Sequence, residues 1–492
     1  MSIIVIVTTM LLANIPPFQI FNTESKKTDI LSDIKLDTQN ITTISGIDSM
    51  MFVAASPLSD SINSMLLADS ASAEAIKLNS GELTDSMRAT KDSIVSKAIE
   101  IKIDSIVKAD STITAIAHNS PVVQIEDYTK DKSALNNFIN ALKTKDSRNV
   151  RIAFIGDSFI EGDILTGDVR ELLQDEFGGR GVGFVPTTSI SARYRTTIKH
   201  SFSNWTSYSI KKKNSTNIDN KFIISSIINT PIGDSAKISY KITNSKRNLT
   251  GNTKAEFFFI NEQNTIINVV LNGSTNLKFT PPTSDIIQKI EISNGGEEIK
   301  TIDFRFKSTA GFYAYGITVN SQNGICVDNF SDRGSSGMQL LKLSQAQNST
   351  FRKYTDYKLI VLQFGLNVLT KGKNDYSYFE NKMVDIVNNL KTYYPHASII
   401  IMGISDRRVK VNNKYVAMSE INSLRKHQRA IAERTSVAYW DTYEAMHGKG
   451  GMGKFVDNRW AAADNIHVNV TGARVIAEQF VRSLKTSVSN PK

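Results

Sequence analysis

Residues 150–163 read Val-Arg-Ile-Ala-Phe-Ile-Gly-Asp-Ser-Phe-Ile-Glu-Gly-Asp, and this stretch constrains the fold more than any other. An apolar run with strand character, Val150 to Ile155, stops at Gly156-Asp-Ser158, and a helical segment follows over Gly162 to Phe177. Such a run, ended by glycine and followed by a helix, reads as a buried strand of a parallel sheet. Ser158 then stands at the C-terminal end of that strand, beside a helix N-terminus. Open α/β sheets place their ligands and reactive groups there. A hydroxyl is a weak nucleophile by itself; it needs a base, an orienter for that base and donors for an oxyanion.

The same alternation returns late in the chain. Strand Ile325–Asp328, helix Ser336–Gln347, strand Leu359–Phe364, helix Tyr378–Tyr393, strand Ser398–Ile404, helix Ser419–Thr435, strand Val437–Asp441 and helix Gly472–Lys485 follow in turn. Between the two α/β parts the pattern differs. Phe222–Ile228, Ala236–Ile242, Ala255–Ile260, Thr265–Leu271, Ile286–Ile292, Thr301–Phe306 and Phe312–Val319 are short β-type runs punctuated by Asn, Gly, Ser and Pro. That is the signature of a β-sandwich or jelly roll. Gly178-Gly-Arg-Gly-Val-Gly183 reads as a loop; no strand runs directly into it and no Lys-Ser/Thr follows, so it does not make a phosphate cradle. The expected architecture is a three-layer α/β domain with a parallel sheet, in two parts (121–187 and 322–492), split by a β-sandwich module over 188–321.

The first 120 residues are of another kind. Ile3 to Leu12 is apolar, broken by Pro16-Pro17 and resumed at Phe18 to Phe21. Residues 1–25 are therefore expected to be an export signal or a membrane anchor, although a basic leading segment is missing. Residues 26–120 are rich in Ser, Asp, Thr, Ile and Ala, with Asp-Ser recurring at Asp60, Asp69, Asp85, Asp92, Asp104 and Asp110 and Phe52 as the one aromatic residue. This reads as a low-complexity stalk, helical around Asp92 to Lys108, that spaces a catalytic domain from a membrane. The single cysteine, Cys326, excludes an intrachain disulfide and a zinc cluster. A net charge of +10 favours anionic partners. Lys211-Lys-Lys213 is the densest basic run, but no aromatic-basic motif accompanies it, so it reads as a solvated loop and nucleic acid is not an expected partner.

Ser158 finds its partners 176 to 309 residues on. Asn329-Phe-Ser-Asp-Arg-Gly334 follows the second strand, Gly365-Leu-Asn367 the third, and Asp464-x-x-His467 precedes the last helix. Backbone N–H groups of Ser158 and Gly334, with the Asn367 amide, would supply three oxyanion donors. His467 would act as general base and then acid, with Asp464 fixing its tautomer. Taken singly, each motif is weak. Another Gly-Asp-Ser, Gly233 to Ser235, sits among the β runs, and Asp-x-x-His also caps helices. The other five histidines show no short-spaced pairing for a metal. Neither a metal nor a cofactor is expected. Asp406 and Arg407, just past the fourth strand, are candidate substrate contacts, with a surface ion-pair cluster as the alternative.

Gly156-Asp-Ser158, Gly334, Gly365-x-Asn367 and Asp464-x-x-His467, in that order, resemble the blocks of SGNH (GDSL-type) hydrolases. The likeness covers about 150–187 and 322–487. Within that family, the split by a β-rich module and the run from Ile164 to Pro186 resemble bacterial periplasmic peptidoglycan O-acetylesterases with a carbohydrate-binding-like insertion. Two positions depart from the pattern: Val368 follows Asn367 where an acidic residue is common, and Phe159 stands for the eponymous leucine. The resemblance implies the flavodoxin-like SGNH fold and a serine esterase acting through an acyl-enzyme on Ser158. It also implies an O-acetylated cell-envelope glycan as substrate, with the protein exported to or anchored in the periplasm. Acetyl transfer onto a polysaccharide and a non-catalytic wall-binding scaffold are the competing readings. The sequence leaves the oligomeric state open.

Overall fold

The computed structural model describes residues 121–489, together with a two-residue antiparallel pair, Gln19–Ile20 against Thr23–Glu24. Apart from that pair, the expected leader or anchor (1–25) and the stalk (26–120) lie outside the described residues. Every other described element belongs to the unit Met51–Lys492.

Five parallel strands form the central sheet: Asn149–Gly156, Gly324–Ser331, Leu359–Gln363, Ser398–Met402 and Ala438–Trp440. Numbered in chain order, they lie side by side as 2-1-3-4-5, and Glu126–Asp127 closes the far edge in antiparallel fashion. The first strand is buried from Val150 to Gly156, which is why its residues are almost all apolar. Right-handed crossovers in this order put the helix after the first strand and the last helix on one face, and the helices after the second, third and fourth strands on the other. Accordingly Thr166–Phe177 packs on Val470–Ser489, while Ser377–Tyr393 packs between Gln345–Thr355 and Glu420–Thr435. Phe480 of the last helix sits edge-on to both Phe154, at 5.7 Å, and Trp440, at 5.1 Å. The architecture is the three-layer α/β fold. In an order of this kind the chain reverses direction between the first and third strands, and a crevice opens at their C-terminal ends.

Between the first two strands of this sheet, eleven strands from Gly181 to Asn320 form two antiparallel sheets. One has the order Ser284–Ser293, Lys254–Asn261, Phe312–Asn320, Ile227–Pro231 and Trp205–Ser209, with Gly181–Pro186 also paired to Phe312–Asn320. The other runs Thr275–Phe279, Ile266–Leu271, Thr301–Lys307, Lys237–Ile242 and Ile198–Ser203. Alternation along Lys254–Asn261 explains how these sheets are held. Phe257 and Phe259 point into a core between the two sheets, with Phe304, Phe306 and Phe312 around them. Phe258 and Ile260 point the opposite way, into the core of the α/β domain, where Phe258 meets Phe351 edge-on at 5.1 Å. One sheet therefore has apolar side chains in two cores, and the module is welded to the α/β domain.

Three local expectations change. The glycine-rich segment is a loop only to Arg180; Gly181–Pro186 is a strand of the module, ahead of the expected start at 188. Gly183 is there for a close approach: its φ is +69°, and a Cβ would lie 2.1 Å from the Val327 carbonyl oxygen. Phe222 to Ile224 is buried but not a strand; pairing starts at Ile227. The helix expected at Ser336–Gln347 is a 3₁₀ turn, Met338–Lys342, followed by an α-helix at Gln345–Thr355 capped by the Ser344 hydroxyl.

Candidate active site

The first strand ends at Gly156, and a short 3₁₀ helix, Ser158–Asp163, begins at once. Asp157 caps it, Oδ1 accepting the Phe159 N–H at 2.9 Å. Ser158 is thereby held at the crevice between the first and third strands and is 7% exposed. From the loop before the last helix, His467 brings Nε2 to 3.4 Å from Ser158 Oγ. Its Nδ1 lies 2.7 Å from Asp464 Oδ2. Asp464 is fixed in turn, Oδ1 accepting the N–H groups of Ile466 at 2.9 Å and His467 at 3.1 Å. Burial would raise the Asp464 carboxyl, but the hydrogen bonds from the His467 ring and these two amides hold it below the usual carboxylate value. It is therefore an ionised acceptor for the imidazole.

The loop after the second strand joins the site through its backbone. Asp332 donates its N–H to the Gly156 carbonyl at 2.8 Å, which sets Arg333 and Gly334 beside the Ser158 turn. Gly334 takes φ +74°, a conformation that favours glycine. Among the described residues, the N–H groups of Ser158 and Gly334 donate to no protein acceptor, so both remain available for an oxyanion.

Asn367 reaches the same place from the third strand but is otherwise engaged. Its amide donates to Asp157 Oδ2 and to the Ser335 carbonyl, each at 3.0 Å. Those two bonds use both amide protons, so a third oxyanion donor requires this amide to turn or share. The amide instead ties the Asp157 loop to the Ser335 loop. Asp157 is the site residue that sequence reasoning missed, although it stands inside the Gly-Asp-Ser motif. It is fully buried, and burial pushes its carboxyl up to about 7 against the bonds from Phe159 and Asn367 and the charge of His467.

The two candidate substrate contacts separate. Asp406 is 5% exposed and turned away: Oδ2 accepts the Met452 N–H at 2.6 Å and lies 3.3 Å from His447 Nε2. It anchors the start of helix Gly451–Asp457 rather than facing a substrate. Arg407 points toward the site, donating from Nη1 to the Leu366 carbonyl at 3.3 Å and lying within the field of Asp464. The second Gly-Asp-Ser is a surface turn. Ser235 Oγ donates to the Ile232 carbonyl and accepts from Asn204, and Asp234 accepts the Ser308 N–H. Among the described residues, no three His, Cys, Asp or Glu side chains converge as a metal-binding group. A cavity of about 340 Å³ opens next to the Ser158 helix, walled by Glu161 and Gly162, by Asn329 to Arg333, and by Ser189, Ile190 and Tyr208 of the module.

The family model for GDSL-like lipases and acylhydrolases matches residues 230–480, just over half of the chain. That span opens around the surface turn Gly233-Asp-Ser235 and leaves out Ser158, whereas the geometry pairs Ser158, not Ser235, with His467. Among solved structures, one described as a peptidoglycan O-acetylesterase in action is 20% identical, with a TM-score of 0.59, covering 74% of this chain and 99% of that one. A family two carbohydrate esterase from Cellvibrio japonicus is 9% identical, with a TM-score of 0.26, over 62% of this chain and 98% of its own. No curated protein matched.

Proposed function

The chain belongs to the family of GDSL-like lipases and acylhydrolases and is an esterase; on that premise we propose that it removes O-acetyl groups from a cell-envelope polysaccharide, peptidoglycan in the first place. The observation that carries the reading is the chain of contacts from Ser158 Oγ to His467 Nε2, and from His467 Nδ1 to Asp464. In this reading His467 takes the Ser158 proton as Oγ attacks the acetyl carbonyl. The oxyanion accepts from the N–H groups of Ser158 and Gly334. Asp464 stabilises the imidazolium, which then protonates the departing sugar hydroxyl. Water, activated by the same imidazole, releases acetate from Ser158.

Three features support a polymeric, anionic glycan. The chain carries a net charge of +10. A β module is packed against the catalytic loops, and the cavity beside Ser158 is walled by both. The fold aligns over nearly the whole of a structure described as a peptidoglycan O-acetylesterase. We further propose that residues 1–25 export or anchor the protein, that residues 26–120 act as a spacer, and that the enzyme works in the periplasm. Arg407 is the proposed contact for an anionic substituent of the glycan.

Acetate release from O-acetylated peptidoglycan and from p-nitrophenyl acetate tests the reading. Ser158→Ala and His467→Ala should each lower kcat by at least about 10³-fold with the fold intact. Full activity in both variants would overturn it. Transfer to a sugar runs through the same acyl-enzyme, and its products with an acetyl donor and an oligosaccharide would show acetylated sugar rather than acetate. A fluorophosphonate that fails to label Ser158 in the folded protein would favour a non-catalytic scaffold.

A further inference from the structure

Lys211 begins the basic run that reads, in sequence, as a solvated loop. Its side chain is only about one-third exposed (34%), and it crosses from the β module to the α/β domain. Nζ lies 2.8 Å from Asp332 Oδ1 and donates to the Arg333 carbonyl at 2.6 Å. These are the two residues before Gly334. The turn that carries Lys211 is itself pinned. Lys211 N–H bonds the Ser209 hydroxyl, Asn214 bonds the Ser209 carbonyl, and Lys342 of the α/β domain reaches the Ile210 carbonyl. On its other side the loop is held by Arg333 Nε, 2.7 Å from Glu161 Oε2 in the helix headed by Ser158.

Gly334 needs such ties because it is exposed and has no side chain to anchor it. Beyond its chain neighbours, no atom lies within 4 Å of where its Cβ would stand, and glycine has many alternatives to its φ of +74°. The position of its N–H is therefore set by bonds at the neighbouring residues and not by the core. We propose that Lys211 is a positioning residue for catalysis, which holds the loop Asp332–Gly334 so that the Gly334 N–H meets the oxyanion formed on the Ser158 adduct. The β module then completes the catalytic geometry, whatever else it binds. This rests on reading Ser158 as the nucleophile of an oxyanion-forming esterase.

Magnitudes separate this role from a structural one. A partly exposed ion pair contributes about 0–1 kcal/mol to stability. A donor misplaced by about 1 Å costs on the order of 100-fold in rate. In the full chain, Lys211→Met should lower kcat for p-nitrophenyl acetate by about tenfold or more, with KM within about twofold and Tm nearly unchanged. Lys211→Arg, which keeps charge and donors, should recover most of kcat. Lys213→Met removes the same charge from the same turn and should leave kcat as it is. Equal activity of the Lys211→Met and Lys213→Met proteins would overturn the inference. So would a rise in KM at constant kcat, which is the mark of a direct substrate contact. If Lys211→Met lowers Tm, it is assayed beside the natural enzyme at a temperature below both melts; a kcat there equal to the natural enzyme's would also overturn the inference. Ser158→Ala assayed in parallel keeps the two questions apart, because activity surviving in it would defeat the nucleophile assignment and not the Lys211 contact alone.

Discussion

Asp157 accepts hydrogen bonds on both of its oxygens, from the Phe159 amide and from Asn367. An amide in its place has only one acceptor, so either orientation of Asp157→Asn sets a donor against a donor. The Asn367 side chain should turn and release the tie between the Asp157 and Ser335 loops, which flank the Ser158 and Gly334 donors, and kcat should fall by up to ~10²-fold. The same substitution has a signature in stability. With its carboxyl pushed up to about 7 in the fold and near 3.9 when unfolded, the native state holds a proton that the unfolded chain lacks between those values. Stability should therefore fall as pH rises from about 4 to about 7 and then level off. Urea unfolding of Asp157→Asn across that window should lack this slope; an unchanged slope would assign the pH response to another group. Ser158, Asp464 and His467 were legible in sequence because each lies in a short motif at a strand end or before a helix. Asp406 misled because adjacency to a strand end does not say which way a side chain turns: it faces Met452, while Arg407 beside it faces the site.

The 3₁₀ helix after Ser158 is held from below by one buried carboxylate. Asp163 bonds Arg170 through both oxygens, at 3.0 and 3.1 Å, and lies 2.8 Å from Arg195. It also accepts the Thr166 and Thr197 hydroxyls. Burial opposes its charge, but the two guanidiniums hold the Asp163 carboxyl far below the usual carboxylate range. Since its folded value is depressed, the contribution is fully present above about pH 4 and is lost as pH falls below that. Asp163→Ala leaves two buried cations unpaired and should cost about 3–5 kcal/mol, read as a fall in the denaturant midpoint. A loss under about 1 kcal/mol would mean that water or other groups already serve those cations. Arg195 belongs to the segment that leads into the sandwich, so the nucleophile's helix and the module share this pin. No periodicity shows such a link. At this scale the α/β strands and helices were legible from apolar runs and helical spacing, whereas Gly181 to Gly183, the start of the strand Gly181–Pro186, were read as the end of a loop because the glycines punctuate. Their reason is close contact with strands far away in sequence, such as the Val327 carbonyl above Gly183.

Across the molecule, the module and the α/β domain do not behave as separable parts. Phe258, Ile260, Tyr315 and Ile287 of the module lie in the core of the α/β domain, so removing the module uncovers Phe351 and its neighbours. Replacing residues 188–321 by a short flexible linker should give a protein that loses cooperative unfolding and near-UV circular dichroism, along with esterase activity. A soluble, cooperatively folding, active product would show that the two cores are independent. The order of parts was readable in sequence from the change of period at both ends of the insertion. Its two-faced burial was not, because Phe257, Phe258 and Phe259 are all apolar and alternation is lost in such a run. The insertion also sets a timetable. Ser158 and His467 are 309 residues apart. A ribosome adding about 5–20 residues per second completes the serine roughly 15–60 s before the histidine. Throughout that interval the emerging chain carries a hydroxyl with no base to activate it, so the growing polypeptide is inert toward every ester it passes until its last helix is made.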